Sequence, residues 1–172
     1  FPSLLEHLKY GTPQPKGILK TGEKVNLELL PPYDFYFPLP RRELTERYRD
    51  QYFYVFHHKV ALMKTSFGCP YTCNFCFCRK ITDDHYFARP MEDVIAELKL
   101  IKEKEVYIVD DDFLLSPTRL TEFIQRVTAE NIDKKYLVYG RADFIAGHPK
   151  LIAQLKTIGL RTVIVGIESF ND

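Results

Sequence analysis

The sequence has no tryptophan, no excess of charge of either sign and no long apolar run. A formal net charge of +1 gives no basic field for a polynucleotide, so a nucleic-acid substrate has no support. No stretch approaches the roughly 20 apolar residues of a membrane span, and no signal-peptide pattern is present. Cysteine is scarce too: four occur in 172 residues, all between positions 69 and 78. A disulfide framework spreads its cysteines to close large loops, so this packing excludes one. Clustered thiols in a reducing compartment are metal ligands instead, and the cytoplasm is the expected location.

What is present is a globular composition, 45% hydrophobic and 27% charged, with 14% aromatics. The length is that of one ordinary domain with a real core. The chain begins with Phe1 rather than Met and ends at Asp172, soon after a strand-like run, and is expected to be a piece of a longer protein.

Two regions follow. Prolines at 2, 13, 15, 31, 32, 38 and 40 deny helix and ladder their N–H groups, so residues 1–58 are expected as a linker with short helices at Ser3–Leu8 and Glu43–Arg49. Tyr33, Phe35, Tyr36, Phe37 and the run Tyr52–Phe56 are expected to pack against the domain that follows. From Lys59 the pattern alternates between strand and helix. Val60–Met63 reads as a first strand, Val106–Val109 as a second, Tyr136–Tyr139 as a third and Thr162–Val165 as a fourth. Between them, helices are expected behind Pro90, from the Ser116 cap with Pro117, and from Pro149 to Gly159. The strand runs are apolar throughout, as in a parallel sheet covered on both faces. The reading is α/β, curved or barrel-like, over 59–172.

Ligands of parallel α/β folds sit beyond the carboxyl ends of the strands. Thr65, Ser66, Gly68 and the cysteines follow the first strand, and Asp110, Asp111 and Asp112 the second. Gly140, Arg141 and Asp143 follow the third, and Gly166, Glu168 and Ser169 the fourth. One site at that end could collect thiolates, carboxylates and a guanidinium. Separately, each group has a duller reading: a solvated or helix-capping Asp run, and a surface Arg141–Asp143 ion pair worth little. His57, His58 and His85 are read as surface or packing residues.

The thiols read Cys69-Pro-Tyr-Thr-Cys73-Asn-Phe-Cys76. Three thiolates on a short loop can bind three irons of a four-iron cluster and leave the fourth iron open. Zinc is the alternative, but a structural zinc site wants four ligands. Cys78 is poorly placed to be the fourth, which leaves His85; Cys78 itself reads as a packed free thiol.

Cys-x3-Cys-x-aromatic-Cys after the first strand of an α/β repeat resembles the radical S-adenosylmethionine (SAM) superfamily. The resemblance covers about Lys59 to Asp172 and implies a partial parallel (β/α) barrel, the first four strands of an expected six, preceded by the Pro-rich linker. It implies a 4Fe-4S cluster on Cys69, Cys73 and Cys76, with SAM chelated to the open iron. Phe75 would lie near the adenine and Asp110–Asp112 at the methionine amine. Arg141 would meet the SAM carboxylate or a substrate anion, and Glu168 and Ser169 the ribose. No protein side chain is assigned as catalytic. The implied reaction is reductive cleavage of SAM to a 5′-deoxyadenosyl radical, fed by a flavodoxin- or ferredoxin-type electron donor and directed at a small molecule.

Thr65-Ser66-Phe67-Gly68-Cys69-Pro70-Tyr71, Asp110-Asp111-Asp112-Phe113, Gly166-Ile167-Glu168-Ser169 and the connector Pro31-Pro32-Tyr33-Asp34 are similar to the cobalamin-associated branch. That branch implies methyl transfer, cyclisation or rearrangement, with cobalamin held by an upstream domain. The rival readings are a methylthiotransferase-type radical SAM protein and a non-enzymatic zinc-binding module. The piece on its own is expected to be poorly stable and to have little or no turnover.

Overall fold

The computed structural model describes residues 2–15, 18, 21–22, 38–82 and 84–168, the Arg79 side chain excepted. The chain divides into two compact units, Phe1–Asp34 and Phe35–Asp172. In the first, α1 (Pro2–Tyr10) starts on a proline suited to a first turn and buries no residue. The Gly11 N–H closes it on the His7 carbonyl. The expectations for Tyr33, Phe35, Tyr36, Phe37 and the Pro31–Asp34 connector lie outside the described residues.

In the second unit a 3-10 helix runs over Arg42–Gln51. A run of that length needs support from outside itself. Arg42 supplies it by donating to the Leu62 carbonyl and to the buried carboxylate of Glu97, and Arg49 pairs with Glu103. A hairpin follows, β1 (Phe53–Tyr54) against β2 (His57–His58), antiparallel. Residues 38–58 therefore carry more structure than a linker.

The domain proper has four parallel strands: β3 (Val60–Met63), β6 (Glu105–Ile108), β7 (Lys135–Arg141) and β8 (Leu160–Gly166), hydrogen-bonded in that order. Between β3 and β6 lie β4 (Ser66–Phe67), α2 (Cys78–Ile81), β5 (Phe87–Ala88) and α3 (Met91–Leu100). The crossovers from β6 to β7 and from β7 to β8 are α4 (Pro117–Ala129) and the pair α5 (Ala142–Gly147) and α6 (Pro149–Thr157). Parallel neighbours joined by helical crossovers make the expected α/β fold, a partial (β/α) barrel. Ser116 caps α4 through its side chain, which accepts from the Arg119 amide, and Pro117 opens the helix.

Because strand side chains alternate, the sheet has two unlike faces. Ala61, Met63, Val106, Ile108, Tyr136 and Val138 pack with Val94, Leu98, Leu120, Phe123 and Leu155 of the helices. The other face carries Val60, Tyr107 and Leu137, with Tyr54, Val109, Tyr139 and Ile164 against them. The helices thus cover one face, while the hairpin crosses the amino end of the other. Among the described residues no helix is long and apolar enough to cross a membrane.

Candidate functional site

The loop that carries the cysteines leaves β3 and is held at its base by one carboxylate. Asp110, just past β6, is 1% exposed. It accepts from the Thr65 and Ser66 amides at 2.6 and 3.0 Å and from both of their hydroxyls. Burial raises its pKa, and these donors oppose the rise. Charge-assisted bonds of this kind are the strong ones, so the first and second strands are tied together where the loop begins. β4 and β5 then pair antiparallel and draw the loop's two ends together. Arg119 of α4 adds bonds to the carbonyls of Thr65 and Arg89. Gly68 sits at φ +76°, and a Cβ there would come 2.0 Å from the His85 carbonyl oxygen, so only glycine passes.

Beyond that base, the loop opens on a pocket of about 650 Å³ at the carboxyl ends of the strands. Cys69, Cys73, Cys76 and Phe75 line one side, Asp111 and Asp112 the β6 end, Arg141 and Asp143 the β7 end, and Glu168 the β8 end. The sequence-predicted groups converge there with two exceptions. Asp110 does not line the pocket, because its oxygens are used at the loop base, and Ser169 lies outside the described residues.

The carboxylates differ in state. Asp111 stands 3.7 Å from the Lys64 ammonium. Asp112 is 5% exposed, and neither of its side-chain oxygens has a hydrogen-bond partner. Burial pushes its pKa up to about 6, against the pull of the Arg141 guanidinium and of the Leu114 amide, which approaches without closing a well-formed hydrogen bond. Arg141 itself makes two bonds to Asp143, at 3.0 and 2.8 Å, and its guanidinium carbon lies 4.0 Å from the centre of the Tyr71 ring. That places a fixed cation over the cysteine loop. Gly140 lets β7 run close beneath, since a Cβ there would come 2.4 Å from the buried Leu114 side chain.

All four thiols are free and partly exposed. Burial, then the negative groups at Asp112 and Asp111, raise the Cys69 pKa, and burial and the neighbouring Cys76 thiol push Cys78 up to about 11. A bound metal reverses that cost, since coordination deprotonates a thiol outright. Among the described residues no three His, Cys, Asp or Glu side chains are gathered around a single point for one ion. Zinc draws its ligands onto one centre, while a four-iron cluster takes each thiolate on a different iron, so the two make different demands on this loop. His85, weighed above as a zinc ligand, turns its Nδ1 to the Thr82 carbonyl and does not line the pocket.

The structure is thus a parallel α/β sheet with three loop cysteines and a buried acid at its carboxyl end. The profile of the radical SAM superfamily matches residues 63–172, and the chain belongs to that superfamily. The chain is 28% identical over 133 residues to a hopanoid C-3 methylase of Methylococcus capsulatus, covering 77% of this chain and 26% of that protein. It is 30% identical over 113 residues to an uncharacterised methyltransferase of Pyrococcus horikoshii, covering 63% and 24%. It is 26% identical over 125 residues to an anaerobic magnesium-protoporphyrin IX monomethyl ester cyclase of Rubrivivax gelatinosus, covering 70% and 22%. The chain spans about a quarter of the length of these relatives.

His57, read above as a surface or packing residue, is a buried one. Its Nδ1 meets Glu105 Oε2 at 2.6 Å and its Nε2 meets Thr162 Oγ1 at 2.9 Å, at the amino end of the sheet. No local signal marks it, because its partners lie 48 and 105 residues away.

Proposed function

We propose that this chain supplies the cluster and SAM site of a radical SAM enzyme. The observation that carries the reading is the buried, unpartnered Asp112 carboxylate on the wall shared with Cys69, Cys73 and Cys76. A carboxylate in that state costs stability unless a cation or N–H donors reach it. The α-amino group of SAM would bring both.

In this reading Cys69, Cys73 and Cys76 hold a 4Fe-4S cluster, which, when bound, supplies the electron that cleaves SAM to methionine and the 5′-deoxyadenosyl radical. The chain's own residues bind, orient and shield. Asp112 receives the amine, with Asp111 beside it. Arg141, steadied by Asp143 and Tyr71, faces a carboxylate. Phe75 closes the adenine side, and Glu168 meets the ribose with Ser169. Asp110 does not touch the ligand but fixes the loop from which the cysteines project.

The activities for which the relatives are named, methylase, methyltransferase and cyclase, favour methyl transfer to, or ring closure of, a small molecule. They fit the cobalamin-associated branch, with cobalamin held outside these residues. A flavodoxin- or ferredoxin-type donor would feed the cluster in a reducing cytoplasm.

The test is iron and sulfide content after anaerobic reconstitution, with electron paramagnetic resonance of the dithionite-reduced protein with and without SAM. Near four irons per chain are expected, lost in Cys73→Ala and kept in Cys78→Ala, with a spectrum altered by SAM. Zinc in place of iron, or a cluster that survives Cys73→Ala, would sink the proposal.

A further inference from the structure

Three tyrosines descend the inner face of the sheet from the cysteine pocket. Tyr139, two residues before Arg141 on β7, lines the pocket wall with Cys69, Cys73 and Cys76. Its ring centre lies 5.8 Å from that of Tyr107 on β6, and Tyr107 lies 4.9 Å from Tyr54 on the hairpin. These are the spacings of rings in direct contact.

We propose that Tyr139 gives a hydrogen atom to a carbon radical formed in the cysteine pocket, and that Tyr107 and Tyr54 carry the resulting hole away. The proposal rests on the radical reading of the pocket given above. The O–H bond of Tyr139 breaks and a C–H bond forms, leaving a neutral tyrosyl radical and a closed-shell product. Phenolic O–H bonds are weaker than C–H bonds of a methyl group, so the transfer runs downhill. A hydrogen atom then moves from Tyr107 to Tyr139 and from Tyr54 to Tyr107, and the radical ends on the hairpin. One electron from the flavodoxin- or ferredoxin-type donor that feeds the cluster, with one proton from water, restores the phenol.

Three observations favour this stack over any other donor. The hydroxyls act on one another: burial first, then the Tyr139 hydroxyl, raises the pKa of Tyr107, and the Tyr139 hydroxyl raises that of Tyr54. Phenols so placed keep their protons, and a neutral phenol can give up a hydrogen atom. Tyr71 also lines the pocket, but the Arg141 cation over its ring opposes removal of an electron. Phe75, the aromatic of the motif, has no O–H to give. The stack protects the loop: with no substrate in place, Tyr139 quenches the carbon radical, and a substrate C–H bond closer to the radical intercepts it first.

The experiment uses the reconstituted full-length protein in D2O with SAM and dithionite and without substrate. Mass spectrometry reads deuterium in the 5′-deoxyadenosine formed, and freeze-quenched electron paramagnetic resonance reads organic radicals. The unaltered protein is expected to place one solvent deuterium in the product and to show the line shape of a tyrosyl radical. Tyr139→Phe should still yield 5′-deoxyadenosine, with its deuterium content severalfold lower and the radical signal gone. Tyr136→Phe, on the helix side of the same strand, should leave both unchanged. Undiminished deuterium in Tyr139→Phe, or its loss in Tyr71→Phe alone, overturns the proposal. Failure of the unaltered protein to form any 5′-deoxyadenosine overturns the reading of the pocket itself.

Discussion

Asp110 and Asp112 lie two residues apart beyond the same strand, both buried and both with a pKa raised by burial, yet they differ in how their oxygens are bonded. Asp110 takes four hydrogen bonds from Thr65 and Ser66, while neither oxygen of Asp112 takes any. A satisfied buried carboxylate is a fastening, whereas an unsatisfied one beside an open pocket carries an uncompensated cost. The loop base is finished in the chain alone, whereas the rim is finished only when something binds.

Removing Asp110 should break this contrast most severely. Asp110→Ala strands two buried amides and two hydroxyls, and a loss of about 3–5 kcal/mol in urea unfolding is expected, together with poor iron retention. Asp110→Asn keeps one acceptor for the two amides and should lose less than half as much. Equal losses in the two variants would mean that charge, not the bonding pattern, holds the loop.

Asp112 should respond in the opposite direction. Its folded pKa, about 6, lies above its ordinary value of 3.8, so the folded state holds the extra proton between them. Stability from this group is present below pH 4 and is lost as pH rises toward 6 and beyond, by at most roughly 3 kcal/mol. Asp112→Asn should flatten that slope in pH-dependent urea unfolding, stabilise the metal-free protein at neutral pH and abolish the effect of SAM on the cluster spectrum. A steeper slope would show that Asp112 is already paired.

Gly68 sharpens the comparison from the backbone side. Gly68→Ala meets both a positive φ and a carbonyl at 2.0 Å, and a loss of roughly 2 kcal/mol with lower cluster occupancy is expected. Tyr136 gives the smallest effect. Its buried hydroxyl also lacks a partner, but it faces packed helices rather than a pocket. Tyr136→Phe should therefore stabilise the chain by up to about 1 kcal/mol in thermal unfolding and leave cluster loading unchanged. An unpartnered group is a ligand site only where a ligand can arrive.

The parallel sheet was legible in the sequence because each strand is a short apolar run fenced by charged residues or Gly. Val60–Met63 agrees residue for residue, and the second strand is shifted by one, to Glu105–Ile108. The third and fourth extend further, to Lys135–Arg141 and Leu160–Gly166, since ladder bonds carry polar end residues that hydropathy does not mark. α5 was missed for a related reason: Ala142–Gly147 is too short to show a periodic face and reads as part of the polar end of a strand. Convergence of the cysteines, Asp111, Asp112, Arg141 and Glu168 followed from topology. The separate duty of Asp110 did not, because three consecutive aspartates look alike until the strand ends assign them to different sides. The partners of His57 were invisible for want of any local pattern.

The His57 imidazole works as a tie. It joins Glu105 of β6 to Thr162 of β8 and passes over β7, which lies between them. The hairpin thus braces the amino end of three strands through two hydrogen bonds. Cysteines, acids and guanidinium stand at the opposite end, so this brace and the pocket share the sheet without sharing a contact.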